Sequence, residues 1–216
     1  MKRVFGKVEV VFDILYLTIA IMLGLVLVLS ERENCPRRLA GIMAFILAGG
    51  DAFHLIPRIK VIITHEEERL RKALGRGKQI TSITMTLFYV ILYKIGILIF
   101  SPNNIDIWSY VFYALAVVRV VFCLLPQNEW QERYPPVIWG IVRNIPFFCQ
   151  GIFVSVLYFT YRSTLSGLEM VWIAVLLSFM FYLPVVLWAN RNPKIGMLML
   201  PKTCAYLWLL FMCLSI

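Results

Sequence analysis

Three ionisable residues within one apolar segment, residues 44–58, are the first candidates for chemistry. Asp51, His54 and Arg58 are spaced i, i+3 and i+7, so on a helix they share one face. A helix that faces lipid does not carry such a stripe, because removing each ionisable group from water costs several kcal/mol. We therefore expect the stripe to face a polar interior formed by other helices, where Asp51 and His54 could act as general acid/base groups.

The composition is typical of an integral membrane protein. Of 216 residues, 61% are hydrophobic and 15% charged, whereas a soluble domain is about half apolar and about a quarter charged. Seven apolar segments approach the length of about 20 residues that spans a bilayer. They lie near 8–30, 38–58, 79–100, 107–125, 136–161, 168–189 and 195–216. The sequence predicts one all-α bundle of seven transmembrane helices, in a single domain covering residues 1–216.

The basic residues are divided unevenly between the two ends of these helices. The formal charge is +9, and we attribute it to the positive-inside rule rather than to nucleic acid, because no nucleic-acid-binding motif is present. Thirteen Lys and Arg residues lie on the N-terminal side of the bundle and four on the other side. This asymmetry predicts a multi-pass protein of the cell membrane with a cytoplasmic N-terminus and its C-terminus outside.

Most ionisable and polar residues inside the spans fall in the cytoplasmic half of the predicted bundle. The charged ones are Asp13, Asp51, Arg119, Arg143 and Lys202. The uncharged ones at the same depth are Ser82, Thr86, Tyr89, Asn144, Tyr182 and Tyr206. This one-sided clustering predicts a polar cavity open to the cytoplasm or the inner leaflet, with Asp51, His54 and Asp13 as catalytic residues and the others as substrate-binding residues.

The cations in this half outnumber the carboxylates, so a shared cavity would carry net positive charge. Guanidinium groups bind phosphate oxygens in a bidentate manner, which suits a phospholipid headgroup or a small anionic metabolite. Alternatively, two cations neutralise the two aspartates as a buried clamp, and the third reaches the membrane interface. The third helix is equally ambiguous, because its polar face could line the cavity or bond to other helices. That face consists of Gln79, Ser82, Thr86, Tyr89 and Tyr93.

The sequence predicts neither a cofactor nor a metal site. A membrane zinc hydrolase needs three or more ligands, and only Asp13, Asp51 and His54 are available. Lys202 in the last helix invites comparison with retinal-binding proteins, but it lies near the cytoplasmic end and the third helix lacks a carboxylate counter-ion. The segment at residues 75–78 (GRGK) lacks Walker spacing, and we interpret it as a basic turn at the membrane surface.

A faint internal repeat relates the two halves of the chain. Residues 53–57 (FHLIP) in the second helix resemble residues 181–184 (FYLP) in the sixth. Residues 78–89 loosely resemble residues 202–206, since both begin with lysine and end with tyrosine. The pattern favours a 3+1+3 plan in which the fourth helix is a linker, and in such plans ligands bind at the interface between repeats.

Several short motifs resemble the lysoplasmalogenase-like YhhN family of small helical membrane proteins. They are Gly50-Asp51 in an early helix, Gly75 with Gly77, Tyr89 in the polar third helix, and Tyr206 in the last helix. The resemblance implies hydrolysis of the vinyl-ether bond of lysoplasmalogens, with intramembrane aspartates in acid/base roles. The family has eight helices and a second aspartate in its later half, where this chain has seven predicted helices and Ser178.

Three functions would use these residues differently. In a lipid-handling enzyme, Asp51 is the acid/base group while Arg119, Arg143 and Lys202 hold a phosphate. In a transporter or receptor for a small anion, Asp51 and His54 sense or relay protons. In a structural or signalling subunit, the polar groups only lock helices together. The expected partners are a membrane lipid or a small anionic ligand, and not nucleic acid.

Overall fold

The protein is built from helices that are long and apolar enough to cross a membrane, seven in all. The computed structural model describes residues 2–30, 35–102 and 106–216. The helices are α1 (Lys2–Leu29), α2 (Cys35–Thr64), α3 (Glu67–Phe100), α4 (Asp106–Leu124), α5 (Val137–Thr160), α6 (Val171–Trp188) and α7 (Met199–Met212). Short 3₁₀ helices cover Pro126–Asn128, Pro193–Leu198 and Cys213–Ser215, and the last two extend the seventh span. Over these described residues, the prediction of an all-helical protein with seven helices long and apolar enough to span a membrane is confirmed.

Six of the helices contact one another in a closed cycle. Helix α1 packs on α2, α2 on α3, α3 on α5, α5 on α6, α6 on α7, and α7 again on α1. Helix α4 is not part of the cycle. It packs against α3 and α5, the helices that precede and follow it in the chain. Exchanging α1 with α5, α2 with α6 and α3 with α7 leaves the six contacts of the cycle unchanged. The interior enclosed by these six helices, which we call the ring interior, receives side chains from both halves of the chain.

Aromatic side chains fill much of the ring interior. Phe88 of α3 meets Tyr206 of α7 edge to face, with ring centroids 5.4 Å apart. Tyr89 and Phe179 each meet Phe147 of α5 in the same manner, with centroids 4.9 Å apart. Such pairs stabilise a fold by about 0.5–1.5 kcal/mol each beyond the burial of their area. They join α3, α5, α6 and α7 in one rigid apolar layer.

Helices α2 and α3 extend beyond the predicted spans. Helix α2 continues past Pro57 to Thr64, and α3 begins at Glu67, about three turns before the predicted start near residue 79. The prediction of a basic turn at residues 75–78 is wrong, because these residues lie within α3. Charged side chains at the end of a helix interrupt the apolar run without interrupting the backbone hydrogen bonds. Hydropathy alone therefore underestimates the length of the helix.

Gly75 and Gly77 bring α3 close to two other backbones. A Cβ atom at Gly77 would lie 2.7 Å from the Cα atom of His54 in α2. A Cβ atom at Gly75 would lie 2.8 Å from the Cα atom of Gln131, in the loop between α4 and α5. Backbone atoms cannot rotate away as side chains can, so both approaches require glycine. The position of α3 is therefore fixed from two sides.

We expect Gly77→Ala to lower the melting temperature in detergent, because the added methyl group overpacks the α2–α3 contact at a cost of about 1–3 kcal/mol. Differential scanning fluorimetry of the intrinsic tryptophans measures the shift. Gly49→Ala is the matched control, since a Cβ atom at this position of α2 meets nothing within 4 Å. Equal shifts in the two variants would contradict the close approach of the helices.

Candidate functional site

The Asp51 carboxylate is held across the interface between α1 and α2. The buried Tyr16 hydroxyl of α1 donates a hydrogen bond to Oδ2 of Asp51 at 2.6 Å. Within the described residues, no cation forms a salt bridge with Asp51. The sequence analysis missed Tyr16, because a tyrosine in an apolar run is usually a core residue. Its signal was its position one turn after Asp13 on the same face of the helix.

Two cations are buried in the bundle, and Lys202 is close to this carboxylate. Arg119 of α4 is 2% exposed, and its guanidinium carbon lies 3.2 Å from the centroid of the Phe147 ring. Its Nε and Nη1 atoms have no hydrogen-bond partner in the part of the chain that the structure describes. Lys202 of α7 is 6% exposed, with its ammonium 4.3 Å from the ring centroid of Tyr182 and 5.4 Å from that of Tyr206. Buried cations of this kind attract an anion.

Lys202 is close to both Asp51 and Arg119. Its ammonium is close enough to interact electrostatically with both Asp51 and Arg119. These three residues come from α2, α4 and α7, which are distant in the sequence. The structure therefore brings together one carboxylate and two cations at the predicted site, and no salt bridge between them is formed among the residues described.

A cluster of hydroxyl groups lies in the same interior. The Tyr89 hydroxyl is 3.2 Å from Oγ of Ser178. Because Ser178 donates its own proton to the Val175 carbonyl at 2.7 Å, Tyr89 is the donor in this pair. Tyr206 is near both Tyr89 and Ser178, and it is also close enough to Asp51 to interact electrostatically. The predicted binding residues Tyr89 and Tyr206 thus meet, and Ser178 of α6 joins them.

Tyr182 and Asn144 form a pair between α6 and α5, whereas Arg143 is held elsewhere. Tyr182 donates to Oδ1 of Asn144 at 3.2 Å. Arg143 donates to Oδ1 of Asn128 at 2.8 Å, and its guanidinium lies 4.1 Å from the centroid of a Trp130 ring. Both partners of Arg143 belong to the loop between α4 and α5. Arg143 thus stabilises this loop through Nη1 and its flat face, while it is also close enough to Tyr182 and Cys123 to interact electrostatically, as Arg119 is. The expectation that the two arginines share a phosphate stays a prediction.

The residues of the predicted polar face of α3 make hydrogen bonds in three different places. Ser82 and Thr86 donate to carbonyl groups of α3 itself, at 2.9 and 3.1 Å. Gln79 and Tyr93 hydrogen-bond to α4, both at 3.1 Å. Only Tyr89 joins the hydroxyl cluster of the ring interior. Hydrogen bonding within and between helices, the alternative considered from the sequence, accounts for the bonds that the remaining residues of this face donate or share.

The stripe of Asp51, His54 and Arg58 meets two different helices. Arg58 donates a hydrogen bond from Nε to Glu9 of α1 at 2.8 Å. Arg58 and Asp51 therefore both contact α1. His54 instead lies against α3, near the backbone of Leu74, and in the described structure its buried Nδ1 has no partner. His54 therefore shares a helix with Asp51 but contacts a different neighbouring helix.

Asp13 is buried, whereas Asp51 is half-buried. Asp13 is 5% exposed, and its Oδ2 atom has no hydrogen-bond partner among residues 2–30, 35–102 and 106–216. It is close enough to Glu9, Arg58 and Asp51 to interact with each electrostatically. Asp13 thus lies beside the Asp51 site on the α1 side.

A groove of about 560 Å³ opens between α3 and the loop that holds Arg143. Arg76, Gln79, Trp130 and Glu132 are among the residues that line it. None of the three predicted catalytic residues lines this groove. It is separate from Asp51, Arg119 and Lys202, which we call the charged cluster.

Comparisons of the chain with family models, with curated proteins and with solved structures find no match. The resemblance to the YhhN family stays a prediction. Of the residues that carry it, Asp51, Tyr89 and Tyr206 lie in the ring interior, and Gly75 and Gly77 pack α3 against its neighbours.

The hydrogen bond between Tyr16 and Asp51 can be measured by a double-mutant cycle. We expect Tyr16→Phe to lower the free energy of unfolding by about 1–3 kcal/mol, because it leaves a buried carboxylate oxygen without its donor. In an Asp51→Ala background the same change should cost much less. Denaturation in mixed detergent micelles measures both. Tyr110→Phe, at an exposed position of α4, controls for the general effect of removing a tyrosine hydroxyl.

Proposed function

We propose that this protein is a membrane hydrolase that cleaves the vinyl-ether bond of single-chain phospholipids. One observation carries the proposal: the Asp51 carboxylate, bonded to Tyr16, lies beside Lys202, which is in turn close to Arg119. An acid/base group next to two buried cations suits a substrate that combines a reactive bond with a phosphate. The apolar surroundings suit its alkyl chain.

Asp51 acts as the general acid and then as the general base. Its carboxyl group donates a proton to the β-carbon of the vinyl ether, which leaves an oxocarbenium ion at the α-carbon. Water adds to that carbon and returns a proton to Asp51. The resulting hemiacetal collapses into a long-chain aldehyde and a glycerophosphate headgroup, so one water is consumed and the catalyst is regenerated. Tyr16 orients the carboxyl group throughout.

Arg119 and Lys202 hold the phosphate in this proposal. The Nε and Nη1 donors of Arg119, which lack partners among the described residues, are available to donate hydrogen bonds to an anion. Lys202 contributes a second positive charge while its stem packs against Tyr182 and Tyr206. A phosphate bound there would remove the cost of burying two like charges.

The substrate enters from the inner leaflet if the chain has the orientation that its charges favour. We place the N-terminus in the cytoplasm and the C-terminus outside the cell, on the strength of the positive-inside rule. Asp51, Arg119 and Lys202 then lie in the cytoplasmic half of the bundle. The lipid would keep its headgroup at that depth and its chain in the apolar outer half.

A carrier of a small anion is the second candidate function. The observation that favours it is the two-fold pattern of helix contacts, in which α1 exchanges with α5, α2 with α6 and α3 with α7. Transporters are often built from two such repeats with a ligand site between them, which agrees with the 3+1+3 plan. In this function Asp51 and His54 relay protons coupled to the anion bound by Arg119 and Lys202.

Turnover is the direct test of the enzyme. We expect the purified protein in nanodiscs to release aldehyde from a vinyl-ether lysophospholipid, and Asp51→Asn to lower kcat about 10²–10⁴-fold while binding persists. Arg119→Met should weaken lipid binding by about ten- to a hundredfold, because it removes charged hydrogen bonds to phosphate. Arg76→Met, an exposed cation of α3, is the control. Ester and alkyl-ether lysolipids define the bond specificity.

Mass spectrometry of the purified protein separates the candidates. A retained single-chain phospholipid supports the hydrolase. Retention of a soluble anion, with stabilisation by that anion and no aldehyde release, supports the carrier. If Asp51→Asn unfolds the protein and neither ligand is retained, the charged cluster is structural and both functions are excluded.

Orientation can be measured by labelling single cysteines in intact cells. The five native cysteines are first replaced by alanine. A membrane-impermeant maleimide should then label Arg162→Cys, between α5 and α6, and should not label His65→Cys, between α2 and α3, until the cells are permeabilised. The reverse pattern would place the charged cluster in the outer half of the membrane.

A further inference from the structure

A line of ionisable groups follows the interface between α1 and α2. Glu9, Asp13 and Tyr16 are spaced i, i+4 and i+7 on one face of α1. At one end of this line Glu9 accepts a hydrogen bond from Arg58 at 2.8 Å. At the other end Tyr16 donates to Asp51 at 2.6 Å. The two bonds are about 10 Å apart along the helix axis, since seven residues separate their members on each helix.

The outer end of this line is more exposed than the inner end. The side chains of Arg58 and Glu9 are 48% and 28% exposed. At the inner end Tyr16 is buried in the hydrophobic core and Asp51 is half-buried. The line therefore leads from an exposed ion pair to the proposed acid/base residue.

Asp13 occupies the middle of the line and has no evident structural partner. Helix geometry puts its Cβ atom about 5–6 Å from those of Glu9 and Tyr16, which lie one turn before and one turn after it. Its Oδ2 atom is buried, and nothing in the described part of the chain hydrogen-bonds to it. A carboxyl group retained only for packing would be satisfied by a donor, because an unsatisfied buried oxygen destabilises the fold.

The neighbouring helices place few other charges near Asp13. Helix α2 contributes Arg58 and Asp51, and α1 contributes Glu9. Helix α7, which also packs on α1, brings Lys202 close to Asp51 and Tyr206 close to Tyr16. His54 lies on the α3 side of α2 and does not belong to the line.

We infer that Asp13 transfers protons between the membrane surface and Asp51. Its carboxyl group takes a proton from water near the Glu9–Arg58 pair and gives it to Asp51, through the Tyr16 hydroxyl or an intervening water. One proton moves inward, and Asp13 is left able to accept the next. The path itself needs no substrate, and only its effect on turnover rests on the proposed function.

Proton exchange at Asp51 can be measured without substrate by infrared spectroscopy of protein in lipid bilayers. At a pH at which Asp51 is protonated, the carboxyl band that is lost in Asp51→Asn shifts on a switch from H₂O to D₂O as its proton exchanges. We expect Asp13→Asn to slow this exchange about a hundredfold, the lower range of what a positioned proton-transfer group contributes. Asp13→Glu should largely restore it. Glu169→Gln, at an exposed site just before α6, is the control.

Unchanged exchange in a folded Asp13→Asn protein would overturn the inference, and Asp13→Ser provides a second variant with the same expectation should the first fail to fold. The result also separates this inference from the proposed function. Slowed exchange without any lipid hydrolysis would leave the proton path in place and remove the enzyme. Normal exchange with measurable hydrolysis would do the opposite.

Discussion

An ionisable group within a bilayer has to be surrounded by other protein groups, and this constraint organises the molecule. Asp13, Asp51 and Lys202 are each on a helix whose other faces are largely apolar. Closing six helices into a cycle turns those three positions toward one another and away from lipid. The aromatic residues then supply the surroundings that water would otherwise provide, with Lys202 against two tyrosines and Arg119 against a phenylalanine. The charged cluster exists because the cycle is closed.

Precise positioning depends on close backbone contacts away from the cluster. The glycines of α3 fix it against α2 on one side and against the α4–α5 loop on the other. The same loop is tied to α5 through the bond between Asn128 and Arg143. Helix α4 is thereby held between α3 and α5, and only in that position does Arg119 reach Phe147. A loop at the end of the bundle thus helps to determine where a buried guanidinium lies.

The sequence is informative where the signal is one-dimensional. Apolar run length found the seven spans, and counting depth along them put Asp51, Arg119 and Lys202 at one level, where the structure brings them together. Prediction from the sequence failed where a residue's role depends on a contact between residues that are distant in the chain. Tyr16 differs from a core aromatic residue only through the carboxylate opposite it, and nothing in the sequence indicates that a loop residue, Asn128, accepts a hydrogen bond from Arg143. The early start of α3 was missed since charge outside the bilayer resembles a loop in hydropathy.

The two places where the halves of the chain meet directly are not equivalent. At the contact between α3 and α5, helix α4 packs against both partners and reinforces the joint from behind. The contact between α1 and α7 has no such reinforcing helix among the described elements, and α1 turns a broad row of aliphatic side chains outward beside it. The bundle therefore has a double layer of helices at the α3–α5 contact, which we call the doubled wall, and one layer at the α1–α7 contact, which we call the single wall. The single wall is also the one that bears Asp13 and Tyr16 on one side and Lys202 on the other.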